Sequence, residues 1–182
     1  MESQFELTPF LDRIASEQVA PAGGSATAAV GATATSVAEM AVIHSLRSEE
    51  PDQRRRLANG RRNLAAKRSL LEGLAVADGR VVETAFGHSS ELTESVRKRL
   101  VTVPLAIAEV CLDVREEARD LVPIVTQRLT QDLQTAITLV SGALQAALQT
   151  ARYNLGLLEG SGAERLSTRV AEVAEAAETA TK

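Results

Sequence analysis

The chain carries near its start the stretch Val19-Ala20-Pro21-Ala22-Gly23-Gly24-Ser25-Ala26-Thr27-Ala28-Ala29-Val30-Gly31-Ala32-Thr33-Ala34-Thr35-Ser36. Between Ala22 and Ser36 every residue except Val30 is Gly, Ala, Ser or Thr. Pro21 ends whatever precedes it, the two glycines permit backbone angles closed to other residues, and Ser25 is a good capping residue. The stretch therefore reads as a loop over 19–24 that turns into a helix capped by Ser25. For about four turns that helix has almost no large side chain, so another element can approach its backbone closely. Two readings stand side by side: a close helix–helix contact, or a ligand site. The free N–H groups of a helix start attract carboxylates, phosphates and carbonyl oxygens.

Working outward, 182 residues suffice for one domain with a real core, and residues 1–182 are expected to form a single helical domain. Ala, Val and Leu dominate, and the aromatics are Phe5, Phe10, Phe86 and Tyr153 alone. A net charge of −4 argues against a nucleic-acid binder, which normally shows a basic face. The basic residues Arg54, Arg55, Arg56, Arg61, Arg62, Lys67 and Arg68 read first as a solvated helix face. The alternative is a site for a polyanionic substrate tail. Cys111, the single cysteine, excludes an internal disulfide and suits a buried structural thiol. No signal-peptide pattern and no uninterrupted apolar span stand out, so no membrane contact and a cytoplasmic location are expected.

The periodicity predicts an all-α bundle of about six helices, including long antiparallel ones. A short helix starts at Thr8 with Pro9 in its first turn and Phe10, Leu11 and Ile14 on one face. The small-residue helix runs to about 47. Ser48 to Asp52 break the chain, with Asp52 placed to cap the third helix. That helix extends from 52 to about 86 on a stripe of Leu57, Leu64, Leu71, Leu74 and Val81. Gly60, Gly73 and Gly79 inside it mark interruptions or close approaches. Gly87 stops it, and Ser89 or Ser90 caps a fourth helix from 91 to about 121. Pro104 is expected to kink or divide that fourth helix, whose Arg115, Glu116, Glu117 and Arg119 face water. A fifth helix covers 123 to about 158, and Gly160-Ser161-Gly162 sets off a polar last one.

Phosphate loops, dinucleotide fingerprints and His-Glu-x-x-His motifs are missing from the sequence. His44 and His88 both fall near helix ends, where histidines usually cap or face solvent. Polar residues inside apolar helical surroundings carry more information. Asp78 lies among Leu74, Val76 and Val81, and Asp132 among Leu129, Leu133 and Ile137. A buried carboxyl needs partners, or it takes up a proton and becomes a candidate acid or base. The bland reading has each aspartate facing water or paired with an arginine.

Several segments together resemble the cyclodeaminase/cyclohydrolase family. It includes the cyclodeaminase half of formiminotransferase-cyclodeaminase and a bacterial methenyltetrahydrofolate cyclohydrolase. The segments are Phe10-Leu11-Asp12, Pro21-Ala22-Gly23-Gly24-Ser25 with its alanine-rich helix, and Leu74 to Val82 around Asp78. Val103-Pro104-Leu105-Ala106-Ile107-Ala108, Asp132 and Arg152-Tyr153-Asn154 follow in the same order as in the family. The resemblance implies an all-α homodimer acting on a reduced folate that carries a one-carbon unit. Members either expel ammonia from 5-formiminotetrahydrofolate to form the methenyl ring, as lyases, or add water to that ring, as hydrolases. The tetrahydrofolate derivative is the substrate, and no metal or permanently bound cofactor is implied. By the same resemblance Asp78 and Asp132 manage protons at one pocket. Pro21, Gly23, Gly24, Ser25, Gln131, Arg152 and Asn154 would bind or orient the substrate there.

The chain departs from the family pattern at Val76, where a second aspartate is common, and at Gln131, where a serine precedes the aspartate. The loop 123–128 and the segment 48–51 differ too. These departures leave two other readings open. One is a diverged enzyme acting on a non-folate small molecule in specialised biosynthesis. The other is a non-catalytic helical binding or scaffold protein.

Overall fold

The computed structural model describes residues 7–47, 50–87 and 91–179. They form six α-helices and a short 3₁₀ turn, Gln127–Leu129, with no strand among the described residues. The helices are α1 (Thr8–Ile14), α2 (Gly23–Ser45), α3 (Pro51–Phe86), α4 (Glu94–Leu121), α5 (Thr130–Leu155) and α6 (Gly160–Thr179). His88, Ser89, Ser90, Ser48 and Glu49 lie outside the described residues.

Pairs of contacts fix the direction of each helix. Glu39 of α2 meets Arg68 of α3, and Ser25 meets Asp78, so α2 and α3 are antiparallel. Gly60 of α3 abuts Leu121, while Lys67 reaches Glu117 and the Asp113 carbonyl, so α3 and α4 are antiparallel as well. The Thr126 N–H, just before α5, donates to Ser45 at the end of α2, whereas Asn154 at the other end of α5 touches Leu100 near the start of α4. The result is an up-down-up-down arrangement of α2 to α5. The starts of α2 and α4 therefore share one end of the bundle with the ends of α3 and α5. Helix α6 runs alongside α4, held by Arg169–Glu109 and by Arg115.

The core follows from side-chain size and period. On α3, Leu57, Leu64 and Leu71 are fully buried at intervals of seven, each worth about 1.5–3 kcal/mol. The next positions in that series are Asp78 and Ala85, so a carboxyl occupies a slot where a leucine would continue the stripe. On α2, Ala28, Ala34, Ala38 and Ala41 are fully buried. A Cβ on Gly31 would lie 2.9 Å from Cys111 Sγ and 3.3 Å from Leu71 Cδ1. Side chains of α3 and α4 thus rest directly on the α2 backbone, and of the two readings of this stretch the close helix contact holds for its middle. Cys111 is buried as expected, and burial pushes its thiol up to about 12.

The fold corrects several expectations. Helix α3 is unbroken over 36 residues, and only Gly60 among its expected interruptions is a tight approach; nothing lies near Gly73. Asp52 falls in the first turn rather than at the cap. Helix α4 starts after Thr93, whose Oγ1 accepts the Val96 N–H. It continues through Pro104 without dividing. Helix α5 begins at Thr130, seven residues later than expected, because the 3₁₀ turn intervenes. Arg115 does not face water. It is 2% exposed and donates to the Ala177 carbonyl in the last turn of α6. Helix α2 is also long and apolar enough by composition to cross a membrane, with mean hydropathy 1.4 over its most apolar window. Its many small Ala and Gly residues concealed that in the sequence, and 44% of the window is buried inside the bundle.

Candidate functional site

Helix α2 starts without a side-chain cap of its own. The cap position belongs to Ala22, in extended backbone after the cis Ala20–Pro21 bond, and Ser25 sits in the first turn instead. The missing acceptor comes from across the bundle. Asp78 accepts both the Ser25 backbone N–H and a 2.8 Å hydrogen bond from Ser25 Oγ. A carboxylate at a helix start is favoured by the free N–H groups and by the dipole of the helix. Burial opposes this, since Asp78 is 5% and Ser25 1% exposed. Burial prevails, and the Asp78 carboxyl is held above its ordinary value despite the two Ser25 hydrogen bonds.

Gly24 lets Asp78 in: a Cβ there would land on the carboxylate, touching Oδ1 and lying 2.6 Å from Cγ. Gly23 has nothing within 4 Å. The double glycine thus divides its work, one residue making room for the acid and the other leaving open space beside it.

A second polar contact closes the site from the α4–α5 side. Pro104 has no N–H, so the Leu100 carbonyl, four residues earlier, loses its helical donor. Asn154 Nδ2 supplies one at 2.7 Å. Asn154, Asp78, Gly23 and Gly24 all line one cleft of about 450 Å³, together with Phe86 and Arg99. A larger cleft of about 870 Å³ opens beside Ser25. Phe10, Arg13, Pro21, Ser25, Val76, Arg80, Glu83 and Arg99 contribute to its wall. Arg99 lines both.

Of the expected site residues, Pro21, Gly23, Gly24, Ser25, Asp78 and Asn154 meet at this end of the bundle. Asp132 and Gln131 do not. Both sit in the first turn of α5, whereas Asn154 is in its last, and 22 residues at 1.5 Å each separate Asp132 from Asn154 by about 33 Å. The expected convergence of Asp78 and Asp132 on one pocket fails within one chain, because α5 spans the bundle from end to end. Arg152 is exposed and lines neither cleft. Two residues from Asn154 on a helix, it belongs to a different face. Arg13, Arg80, Arg99 and Glu83 join this site without a sequence signal of their own. Only assembly of α1, α3 and α4 brings them together, and no motif announces it.

Among the basic residues of α3, Arg55 pairs with Asp52, Lys67 with Glu117, and Arg68 with Glu39 and Glu72. That part of the chain is a paired and solvated helix face. His44 is exposed at the end of α2.

Residues 6–175 match the family model described as formiminotransferase-cyclodeaminase. The crystal structure of a formiminotetrahydrofolate cyclodeaminase from Thermotoga maritima has the same fold, with a TM-score of 0.87 at 22% sequence identity. The match covers 95% of this chain and 90% of that one. No curated protein matches the chain.

Proposed function

The chain belongs to the formiminotransferase-cyclodeaminase family, and from that premise we propose that it is an enzyme acting on a one-carbon adduct of a reduced folate. The reaction proposed is conversion of 5-formiminotetrahydrofolate to methenyltetrahydrofolate with release of ammonia. The observation that carries this reading is the buried Asp78 carboxyl, bonded to Ser25 at an open double-glycine bend. Ring closure needs a group that takes a proton from one nitrogen and gives it to another. A carboxyl held above its ordinary range is suited to both halves of that task.

Starting from the protonated formimino group, N10 of the folate attacks the formimino carbon and forms the new carbon–nitrogen bond. Asp78 takes the N10 proton and passes it to the exocyclic amine. The bond from carbon to that amine then breaks, its electron pair leaving with nitrogen as ammonia, and the positive charge remains on the methenyl bridge. Ser25 positions Asp78 and stabilises its ionised form. Asn154 supports the wall of the same cleft. Acid–base help of this kind is typically worth about 10²–10⁴ in rate. Asp132 has no part in this step within one chain. By the family resemblance the enzyme is proposed to work as a cytoplasmic homodimer. The exposed Val30 and Ile43 of α2 and Leu139 of α5 give apolar surface for self-association.

Methenyltetrahydrofolate absorbs in the near ultraviolet, so the test is direct. Supplied with 5-formiminotetrahydrofolate, the protein is expected to raise that absorbance and release ammonia in equal amounts. Loss of absorbance from added methenyltetrahydrofolate, without formimino turnover, would assign it to the hydrolytic branch. Val76, 55% exposed on the larger cleft where a carboxylate is common in the family, favours a second reading: a diverged enzyme with a non-folate substrate. Neither turnover nor a thermal shift with any reduced folate would select that one.

A further inference from the structure

The larger cleft has an asymmetry that the proton chemistry leaves unused. Phe10, Pro21 and Val76 give it an apolar side, and Arg13, Arg80 and Arg99 bring three guanidinium groups from α1, α3 and α4. Glu83 is the one carboxylate on its wall. Among the described residues none of the three arginines forms an ion pair with it or with another carboxylate. The chain as a whole carries a net charge of −4, so a local excess of positive charge around one cleft runs against its overall balance. Guanidinium groups bind carboxylates and phosphates through paired N–H donors, and more strongly where the wall beside them is apolar. The cleft adjoins Ser25, so a ligand reacting beside Asp78 can extend into it.

We propose that this cleft is an anion subsite, in which Arg13, Arg80 and Arg99 hold the anionic end of an elongated ligand whose apolar body lies against Phe10 and Val76. The inference rests on the reading of Asp78 and Ser25 as the reacting end. If the substrate is a reduced folate, the anionic end is its glutamyl carboxylates.

The test compares tetrahydrofolate with tetrahydropteroate, which lacks the glutamyl group, and adds glutarate and inorganic phosphate as separate probes. Binding is measured by calorimetry on the parent protein and on an Arg80→Gln/Arg99→Gln double variant. The parent is expected to bind the tail-bearing compound at least about tenfold more tightly than tetrahydropteroate, as charge-assisted hydrogen bonds imply. The double variant should lose that difference while keeping its affinity for tetrahydropteroate. Glutarate should bind the parent, compete with the tail-bearing compound, and fail on the variant. If neither pterin binds but glutarate or phosphate still binds through the arginines, the anion subsite stands and the folate reading falls. Phosphate preferred over glutarate would assign the subsite to a phosphorylated ligand. Equal affinities for the two pterins in the parent, with no arginine-dependent binding of either anion, would overturn the proposal.

Discussion

Gly24 lies so close to Asp78 that a Cβ built on it would stand 2.6 Å from the carboxylate carbon, whereas the neighbouring Gly23 faces open space. The two glycines are adjacent in sequence and both begin α2, so they make a matched pair. Gly24→Ala is expected to displace Asp78, destabilising the fold by about 1–3 kcal/mol as an overpacked site does, and to abolish turnover. Gly23→Ala should change stability by less than about 0.5 kcal/mol. Urea denaturation of the two variants, with turnover measured alongside, checks the contrast.

Asp78 also makes stability depend on pH in an unusual direction. Its carboxyl is raised by burial from the ordinary 3.8, so between that value and its folded pKa the native state binds more protons than the unfolded chain. Stability contributed by the neutral form is present below the ordinary value and is lost as pH rises through the raised one. Asp78→Asn cannot ionise. Its stability relative to the parent is expected to improve from pH 4 to pH 7, measured by urea denaturation at each pH. A relative stability that worsens over that interval would mean that the Ser25 hydrogen bonds outweigh burial.

The Asn154–Leu100 bond answers a defect created by Pro104. Asn154→Ala leaves the Leu100 carbonyl without a donor and should cost about 1–3 kcal/mol. Pro104→Ala restores an N–H at the position the helix requires. The two substitutions together should therefore cost less than the sum of each alone, a coupling that a double-mutant cycle measures directly. Strict additivity would separate Asn154 from the proline.

Asp132→Asn provides the counterpart. About 33 Å along α5 from Asn154, Asp132 is out of reach of Asp78 in the same chain. Its kcat is expected to stay within a few-fold of the parent. A fall of more than a hundredfold, with the fold intact by circular dichroism, would place Asp132 in a site completed by a second copy.

The sequence carried the helices well where side-chain size and period were decisive. The heptad series on α3 and the small-residue run of α2 were both legible, because burying leucine and packing alanine are local consequences of pattern. Helix ends were harder. Thr93 rather than Ser89 or Ser90 caps α4, and Ser25 gives its hydroxyl to Asp78 rather than capping α2. Arg115 looked solvated because nothing in its own helix shows that α6 ends beside it. The same limit applies to the site. Proximity of Asp78 to the glycine bend could be anticipated, but the separation of Asp132 depends on the direction and length of α5. The arginines of the larger cleft come from three helices and share no spacing.

The most direct test of Asp78 as the proton carrier is a rapid-mixing measurement of methenyl absorbance with saturating 5-formiminotetrahydrofolate, on the parent and on Asp78→Asn. Folate affinity of each protein is determined in parallel. The expected result is binding within a few-fold of the parent and a rate lowered by about 10²–10⁴. An Asp78→Asn protein that binds the folate and closes the ring at the parental rate contradicts the assignment.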